Sequence, residues 1–273
     1  MDGMLSLVSY GVGTILGIVL IGGLIVLIIH DVTQKKHTVL RNFPVIGRLR
    51  ELTGRPVGIK TAIGGWDFIN ELCDTVLQRG KDHAPDFLHI DGGEGGSGAA
   101  PQTLMDHMAL PIAEALPRVV DSLLQSDLKS RIRVVAAGKL VTSARAAWAL
   151  CAGADFVVTA RGFMFSLGCI QALRCHTNTC PTGVTTHNKR LQRGLAVEEK
   201  YVRVAHYARN INREIDMIAH SCGCRHSREL KREHVRIVQT ANQSIALNML
   251  YPYPTVGSRA ASKQATATAI AAA

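Results

Sequence analysis

The chain has 273 residues, a net charge of +10 and only 5% aromatic residues, a length that bounds it to one medium domain or two small ones. Its seven cysteines, an odd number with no regular spacing overall, exclude a secreted disulfide scaffold and favour thiols that react or bind a soft metal. The charge does not mark a nucleic-acid binder. No aromatic-interleaved basic patch is present, and the basic residues fall just after the first apolar segment and in residues 189–236, where they read as a solvated helical face.

Residues 4–29 contain no Lys, Arg, Asp, Glu or His. About 20 helical residues cross the ~30 Å hydrocarbon layer, so this run is long enough to span a membrane. A signal peptide would start with a basic region and carry a shorter apolar core. Here the start is Met1-Asp2-Gly3, and Lys35, Lys36, Arg41, Arg48 and Arg50 follow the run. The positive-inside rule then predicts a single-pass anchor with everything after His30 in the cytoplasm.

A strand–helix grammar follows. Residues 56–64 form a short apolar run ending in glycine, which reads as a buried parallel strand, and 66–80 have helical periodicity. Residues 86–98 read as a strand breaking into a glycine-rich loop, and 103–126 as a helix bent or broken at its prolines. Residues 131–140 are a third strand. Residues 142–154 are a helix with Thr142 or Ser143 as N-cap, and 155–163 are a fourth strand. Strands alternating with helices predict parallel α/β architecture, with chemistry at the carboxyl ends of the strands.

Polar and glycine residues cluster at those ends: Lys60, Asp91-Gly92-Gly93, Gly138-Lys139 and Ala160-Arg161-Gly162. Lys60, between Ile59 and Thr61 and before a glycine turn, would project its ammonium into a strand-end cleft. The last two ends have the composition of a phosphate cradle, because glycine lets the backbone approach an anion that a helix N-terminus also favours. Ordinary glycine turns are the competing reading.

Downstream, Cys169, Cys175 and Cys180 stand in the run LGCIQALRCHTNTCPTGVTTHN with spacing C-x5-C-x4-C. Three thiols in one polar, Gly/Pro-ended loop suit an iron–sulfur cluster or zinc better than packing. A closed four-ligand site needs one more donor, so the count points to a three-iron cluster or to a fourth ligand such as His176 or His187. Cys222 and Cys224, flanked by His220 and His226, form a C-x-C that reads as a metal site or as incidental thiols in a helix-breaking loop. Cys73 and Cys151 lie in helical patterns as core residues. Glu94 would meet a substrate ammonium or solvate its loop. No Walker or G-x-S-x-G motif occurs, which argues against NTPases and hydrolases.

HIDGGEGGSGAAP, AAGKLVTSARAAWALCAGADFVV and the cysteine run, in this order, resemble the FMN-binding domain of ferredoxin-type glutamate synthases. The anchor and HTVLRNFPVIGRLREL resemble the start of the membrane-anchored FMN-binding glutamate synthase family proteins, and the match covers roughly residues 1–240. The resemblance implies a TIM-type (β/α) barrel holding FMN and a 3Fe-4S cluster. It implies reduction of 2-iminoglutarate, formed from 2-oxoglutarate and ammonia, to L-glutamate, with ferredoxin as electron donor. It also implies that Cys169, Cys175 and Cys180 ligate the cluster. Gly138, Lys139, Ala160, Arg161 and Gly162 would contact the FMN phosphate. Lys60 would lie near the flavin ring and substrate, and Asp91, Gly92 and Gly93 beside the substrate pocket. A 2-hydroxy-acid oxidase or isopentenyl-diphosphate isomerase shares the cradle but lacks the cysteine loop.

Only four strand–helix units precede residue 163, matching strands 5–8 of that barrel, so the expected fold is an incomplete barrel. The expected organisation is an anchor (1–30), a basic juxtamembrane segment (31–54), the half-barrel (55–190), a helical extension (191–250, with helices near 197–220 and 227–250) and a disordered tail (251–273). Pairing of two half-barrels would make the chain a homo-oligomer. Weak or absent turnover is the corresponding expectation. The alternative is a non-catalytic, membrane-anchored module that binds the cluster, transfers electrons or mediates interactions.

Overall fold

The computed structural model describes residues 2–33, 53–95 and 106–261; the basic segment 34–52, the glycine-rich loop 96–105 and the tail 262–273 lie outside the described residues. Helix α1 (Asp2–Thr33) has 32 residues, about 48 Å at 1.5 Å per residue. Its apolar stretch Gly13–His30 is long and apolar enough to cross a membrane, and none of it is buried against the rest of the chain.

Four parallel strands follow in chain order: β1 (Gly58–Ala62), β2 (Phe87–Asp91), β3 (Arg133–Ala137) and β4 (Phe156–Val157). The crossovers are α2 (Asp67–Arg79), α3 (Ile112–Gln125) and α4 (Ser143–Cys151). Strand alternation divides the sheet into two faces. Leu88, Ile90, Val134 and Ala136 point to one face and are fully buried. They pack with Ile69, Cys73 and Val76 of α2, Leu116, Val119 and Leu123 of α3, and Ala149 of α4. Burying each of the larger side chains contributes about 1.5–3 kcal/mol. The opposite face carries Lys60, Phe87, His89, Asp91 and Val135 and is only half-buried or exposed.

Sequential strand order with these helices in one core is the singly wound arrangement of (β/α) barrels, whereas doubly wound sheets reverse strand order part-way. The structure shows a four-stranded parallel α/β sheet with its strands in chain order. Among the described residues it is open, with β1 and β4 as its edges. Asp155 ties the last two strands together: its carboxylate accepts from Val134 N at 2.8 Å and from Lys129 Nζ at 2.6 Å.

Two expectations for the carboxyl-terminal part are corrected. The helix α7 (Val197–Ser221) forms as expected, after α5 (Ala160–Ser166) and the short α6 (Lys189–Gln192). Residues 227–250 are not a second long helix. They comprise 3₁₀ turns at Ser227–Glu229 and Arg232–His234, an antiparallel hairpin of β5 (Arg236–Thr240) and β6 (Gln243–Ala246), and a single turn α8 (Leu247–Leu250). The β-branched run RIVQT prefers the pleated surface that the hairpin gives it. The segment 251–261, expected to be disordered, is anchored instead. The Arg232 guanidinium lies 4.7 Å over the Tyr253 ring, and Arg259 Nε pairs with Asp74 Oδ1 at 2.7 Å.

Candidate functional site

Lys60 on β1 and Asp91 at the end of β2 share the open sheet face, and Lys60 Nζ lies 3.1 Å from Asp91 Oδ2. His89, which stands opposite Lys60 in the strand register, belongs to the same group and was not singled out by the sequence reading. Its Nε2 is buried with no hydrogen-bond partner. The alternation of FLHID, with residues 87, 89 and 91 on one face, is the signal that would have found it.

Burial pushes the His89 imidazolium pKa down, the Lys60 ammonium pushes it further down, and Asp91 opposes both. The folded value therefore lies below the ordinary ~6.5. As pH falls below that ordinary value, the unfolded chain takes up the proton and the folded chain resists it, so stability is lost. We expect the urea midpoint to drop between pH 7.5 and 5, and the His89→Gln variant to show a flatter profile. An identical slope in both proteins would refute the assignment.

The glycine-rich ends of β2 and β3 are brought together. Gly92 N donates to Ala137 O at 2.9 Å, and Gly93 N to Leu110 O at 2.8 Å. Gly138 has φ 131°, a region closed to most side chains, and a Cβ there would stand 3.0 Å from Gly92 N. Glu94 turns toward the start of α3. Both its carboxylate oxygens accept from Ile112 N, at 3.1 and 3.0 Å, where they satisfy the first turn of α3.

Lys139 Nζ reaches Asp106 Oδ1 at 2.7 Å. The Lys139 hydrogen bond foremost, with the charges of Lys139, His107 and Arg161, holds the Asp106 carboxyl below the usual carboxylate range despite desolvation. An anionic group thus already sits in the field of the two cations that sequence reasoning assigned to a phosphate. Thr142 caps α4 as expected, accepting from Arg145 N at 3.3 Å. The fourth strand ends earlier than the sequence suggested. Ala160, Arg161 and Gly162 form the first turn of α5 rather than a strand end.

The three loop cysteines are free, half-buried thiols. Cys169 follows α5, and its Sγ accepts from Gln171 N at 3.4 Å. Partial burial pushes the Cys180 thiol up. Hydrogen bonds with the Thr182 hydroxyl, 3.4 Å away, and with the Thr185 and Thr182 backbone outweigh burial and bring it down to about 6. Asn178 braces the loop: its Oδ1 accepts from His187 N at 2.6 Å, and its carbonyl accepts from Thr186 Oγ1 at 2.7 Å. Among the described residues, no group of three or more His, Cys, Asp or Glu side chains is gathered closely enough to hold a metal ion. This applies equally to His176, to His187 and to the C-x-C pair. Cys224 is buried with its Sγ 3.9 Å from His234 Nδ1. Cys73 and Cys151 are core residues as expected. Burial first, then Cys222 and Cys224, push the Cys151 thiol up to about 12.

A cleft of about 680 Å³ opens at the other end of the strands, between Arg55, Asp86, Phe87, Arg131, Arg133 and Phe156. It is remote from the glycine loops and lies at the end that barrel enzymes reserve for stability rather than chemistry.

The conserved region of glutamate synthase matches residues 35–225 of the chain. The chain belongs to the glutamate synthase family. The glutamate synthase large subunit-like protein YerD of Bacillus subtilis is 46% identical over 191 residues, which cover 70% of this chain and 36% of that protein. The archaeal glutamate synthase [NADPH] of Methanocaldococcus jannaschii is 32% identical over 152 residues, 56% of this chain and 30% of the relative. The archaeal-type glutamate synthase [NADPH] of Thermotoga maritima is 30% identical over 169 residues, 62% and 32% respectively. The chain therefore spans about a third of the length of these curated relatives.

Proposed function

We propose that the chain is a glutamate synthase-type oxidoreductase that binds FMN and a 3Fe-4S cluster and reduces 2-iminoglutarate, formed from 2-oxoglutarate and ammonia, to L-glutamate. The observation that carries this reading is the Lys60–Asp91 pair, 3.1 Å apart on the open sheet face, with Asp91 at the end of β2 next to Gly92. In the reading, α1 anchors the chain and the sheet domain works in the cytoplasm, with a ferredoxin-type donor.

The residues fit the flavin phosphate by their chemistry, and the three loop thiols fit the cluster as donors although they are not gathered together in this structure. Lys139 and Arg161 would hold the FMN phosphate, taking the anionic place that Asp106 now fills. Gly92, Gly93 and Gly138 leave the backbone bare for close approach. Cys169, Cys175 and Cys180 would hold the cluster: they are unpaired in disulfides, and thiolates are the ligands that iron–sulfur clusters take. When bound, the flavin supplies hydride transfer and the cluster one-electron relay. Within this scheme the protein's own groups bind and orient. The Lys60 ammonium donates hydrogen bonds to a substrate carboxylate and stabilises negative charge that develops beside it. The Asp91 carboxylate pairs with the Lys60 ammonium and keeps it over the open face. His89 stands on the same face opposite Lys60, with its Nε2 buried and unpartnered.

A second reading, a membrane-anchored electron-transfer module without turnover, is favoured by the exposure of Lys60, whose side chain is 60% accessible. The absorption spectrum, iron and sulfide content, and glutamate formation of the full chain, purified anaerobically in detergent, separate the two. Flavin and cluster absorbance with turnover supports the first reading. Cluster absorbance with no flavin uptake supports the second. Zinc without sulfide would remove the cluster from both. Cys175→Ser is expected to lose iron and sulfide together.

A further inference from the structure

Tyr207, on the half-buried side of α7, touches both loops that the proposed function assigns to the FMN phosphate. Its Oη donates to the Val141 carbonyl at 2.7 Å and lies 2.8 Å from Thr159 Oγ1. A phenol has one proton and a carbonyl can only accept. The Tyr207 proton therefore goes to Val141, and the Thr159 hydroxyl donates to Tyr207. Thr159 occupies the N-cap position of α5, where its hydroxyl makes no capping bond and meets Tyr207 instead. Val141 directly precedes Thr142, the N-cap of α4. One hydroxyl thus ties together the entrances of two successive helices, the first following Gly138-Lys139 and the second carrying Arg161.

Gly162 belongs to the same arrangement. A Cβ at this position would overlap Tyr207 Oη and Thr159 Oγ1, so the glycine clears room for the tyrosine. The Phe163 ring stands edge-on to Tyr207, with centroids 5.1 Å apart at 85°, and fixes the phenol in place.

We propose that Tyr207 is a positioning residue that sets the spacing of Lys139 and Arg161 by clamping the β3–α4 and β4–α5 loops to α7. The link to flavin rests on the reading of those loops as a phosphate site; the clamp itself does not. Tyr207→Phe keeps the ring and removes only the hydroxyl.

In the full chain in detergent, amide hydrogen exchange in residues 138–142 and 159–163 is expected to accelerate about tenfold, with β2 unchanged, as follows from losing two hydrogen bonds. Thr159→Val should accelerate the second loop and leave the first in place. Unchanged loops, or acceleration spread evenly over the sheet, would overturn the proposal. Binding supplies a second readout that general loosening would not move. FMN affinity should fall about tenfold in Tyr207→Phe, while riboflavin, which has no phosphate, binds as before. An equal loss for both flavins would overturn the link to the phosphate. A wild-type chain that takes up no FMN would sink the flavin reading, and the exchange experiment would still decide the clamp.

Discussion

Replacing Arg232 with alanine is expected to lower the stability of the folded chain by about 3–5 kcal/mol, the range for breaking a buried ion pair from one side. The Arg232 side chain is fully buried. Its guanidinium donates to Asp121 Oδ1 at 2.6 Å, to the Tyr251 carbonyl at 2.8 Å and to the Pro117 carbonyl at 3.2 Å. It also lies 4.7 Å over the Tyr253 ring, while the Arg232 amide donates to the Tyr253 hydroxyl at 3.1 Å. The guanidinium thus joins the 3₁₀ turn, α3 and the segment after α8. Burial pushes the Asp121 carboxyl up more than Arg232 pulls it down, so losing the guanidinium would push it up further. Alanine would leave a half-buried carboxylate and two carbonyls without their donor. A shape-filling apolar pair removes the charges together. Arg232→Met with Asp121→Leu should lose about 1–3 kcal/mol less than the sum of the two single changes, the coupling that a double-mutant cycle reads. Urea unfolding of the wild type, Arg232→Met, Asp121→Leu, the double variant and Arg232→Ala checks this. A loss below about 1 kcal/mol for Arg232→Ala would show that the pair is not holding the carboxyl-terminal segment.

Arg232 also marks where the sequence stopped being readable. Residues 189–236 read as a basic solvated face, because composition cannot tell a cation paired with a carboxylate 111 positions away from one in water. The hairpin of β5 and β6 was missed for a related reason. The apolar residues Ile237, Val238, Ile245 and Leu247 suit a helix period as well as a strand period, and the choice is made by packing of Val235, Ile237 and Leu247 onto the sheet core. Where the local pattern and the global fold agree, the reading held. The strands around Lys60, Asp91 and Ala137 were legible from short apolar runs ending in glycine, and Thr142 was legible as a cap. Asp91 was also legible as a strand-end residue; Lys60 stands in the middle of β1 instead, and the structure places the two in contact. His89 and Tyr207 were not legible. The first gains meaning only through the register of β1 on β2. The second reaches partners 48 and 66 residues away, a pairing no local spacing encodes.

The Lys60 substitution should produce the largest functional change. Lys60→Ala is expected to lower kcat/KM for glutamate formation about 10²–10³-fold, the range for removing one pre-organised donor to developing negative charge. It should also weaken 2-oxoglutarate binding about tenfold, measured by direct titration. The loss is separable from folding. The Lys60 side chain is 60% exposed, and an ion pair this wet contributes about 0–1 kcal/mol to stability. The variant should therefore unfold within about 1 kcal/mol of the wild type, and any larger functional loss must come from the ammonium's encounter with substrate. Asp91→Asn provides the internal comparison. It keeps the side-chain shape and an acceptor for Lys60 Nζ but removes the counter-charge. The lysine loses only its aim, so the expected loss is smaller, about tenfold. The order of effects carries the argument: a large loss at Lys60 with a smaller one at Asp91 means the ammonium meets the substrate and the carboxylate steers it. Reversal of that order would make Asp91 the group that touches substrate, and a Lys60→Ala enzyme within about twofold of wild type would remove Lys60 from the site altogether.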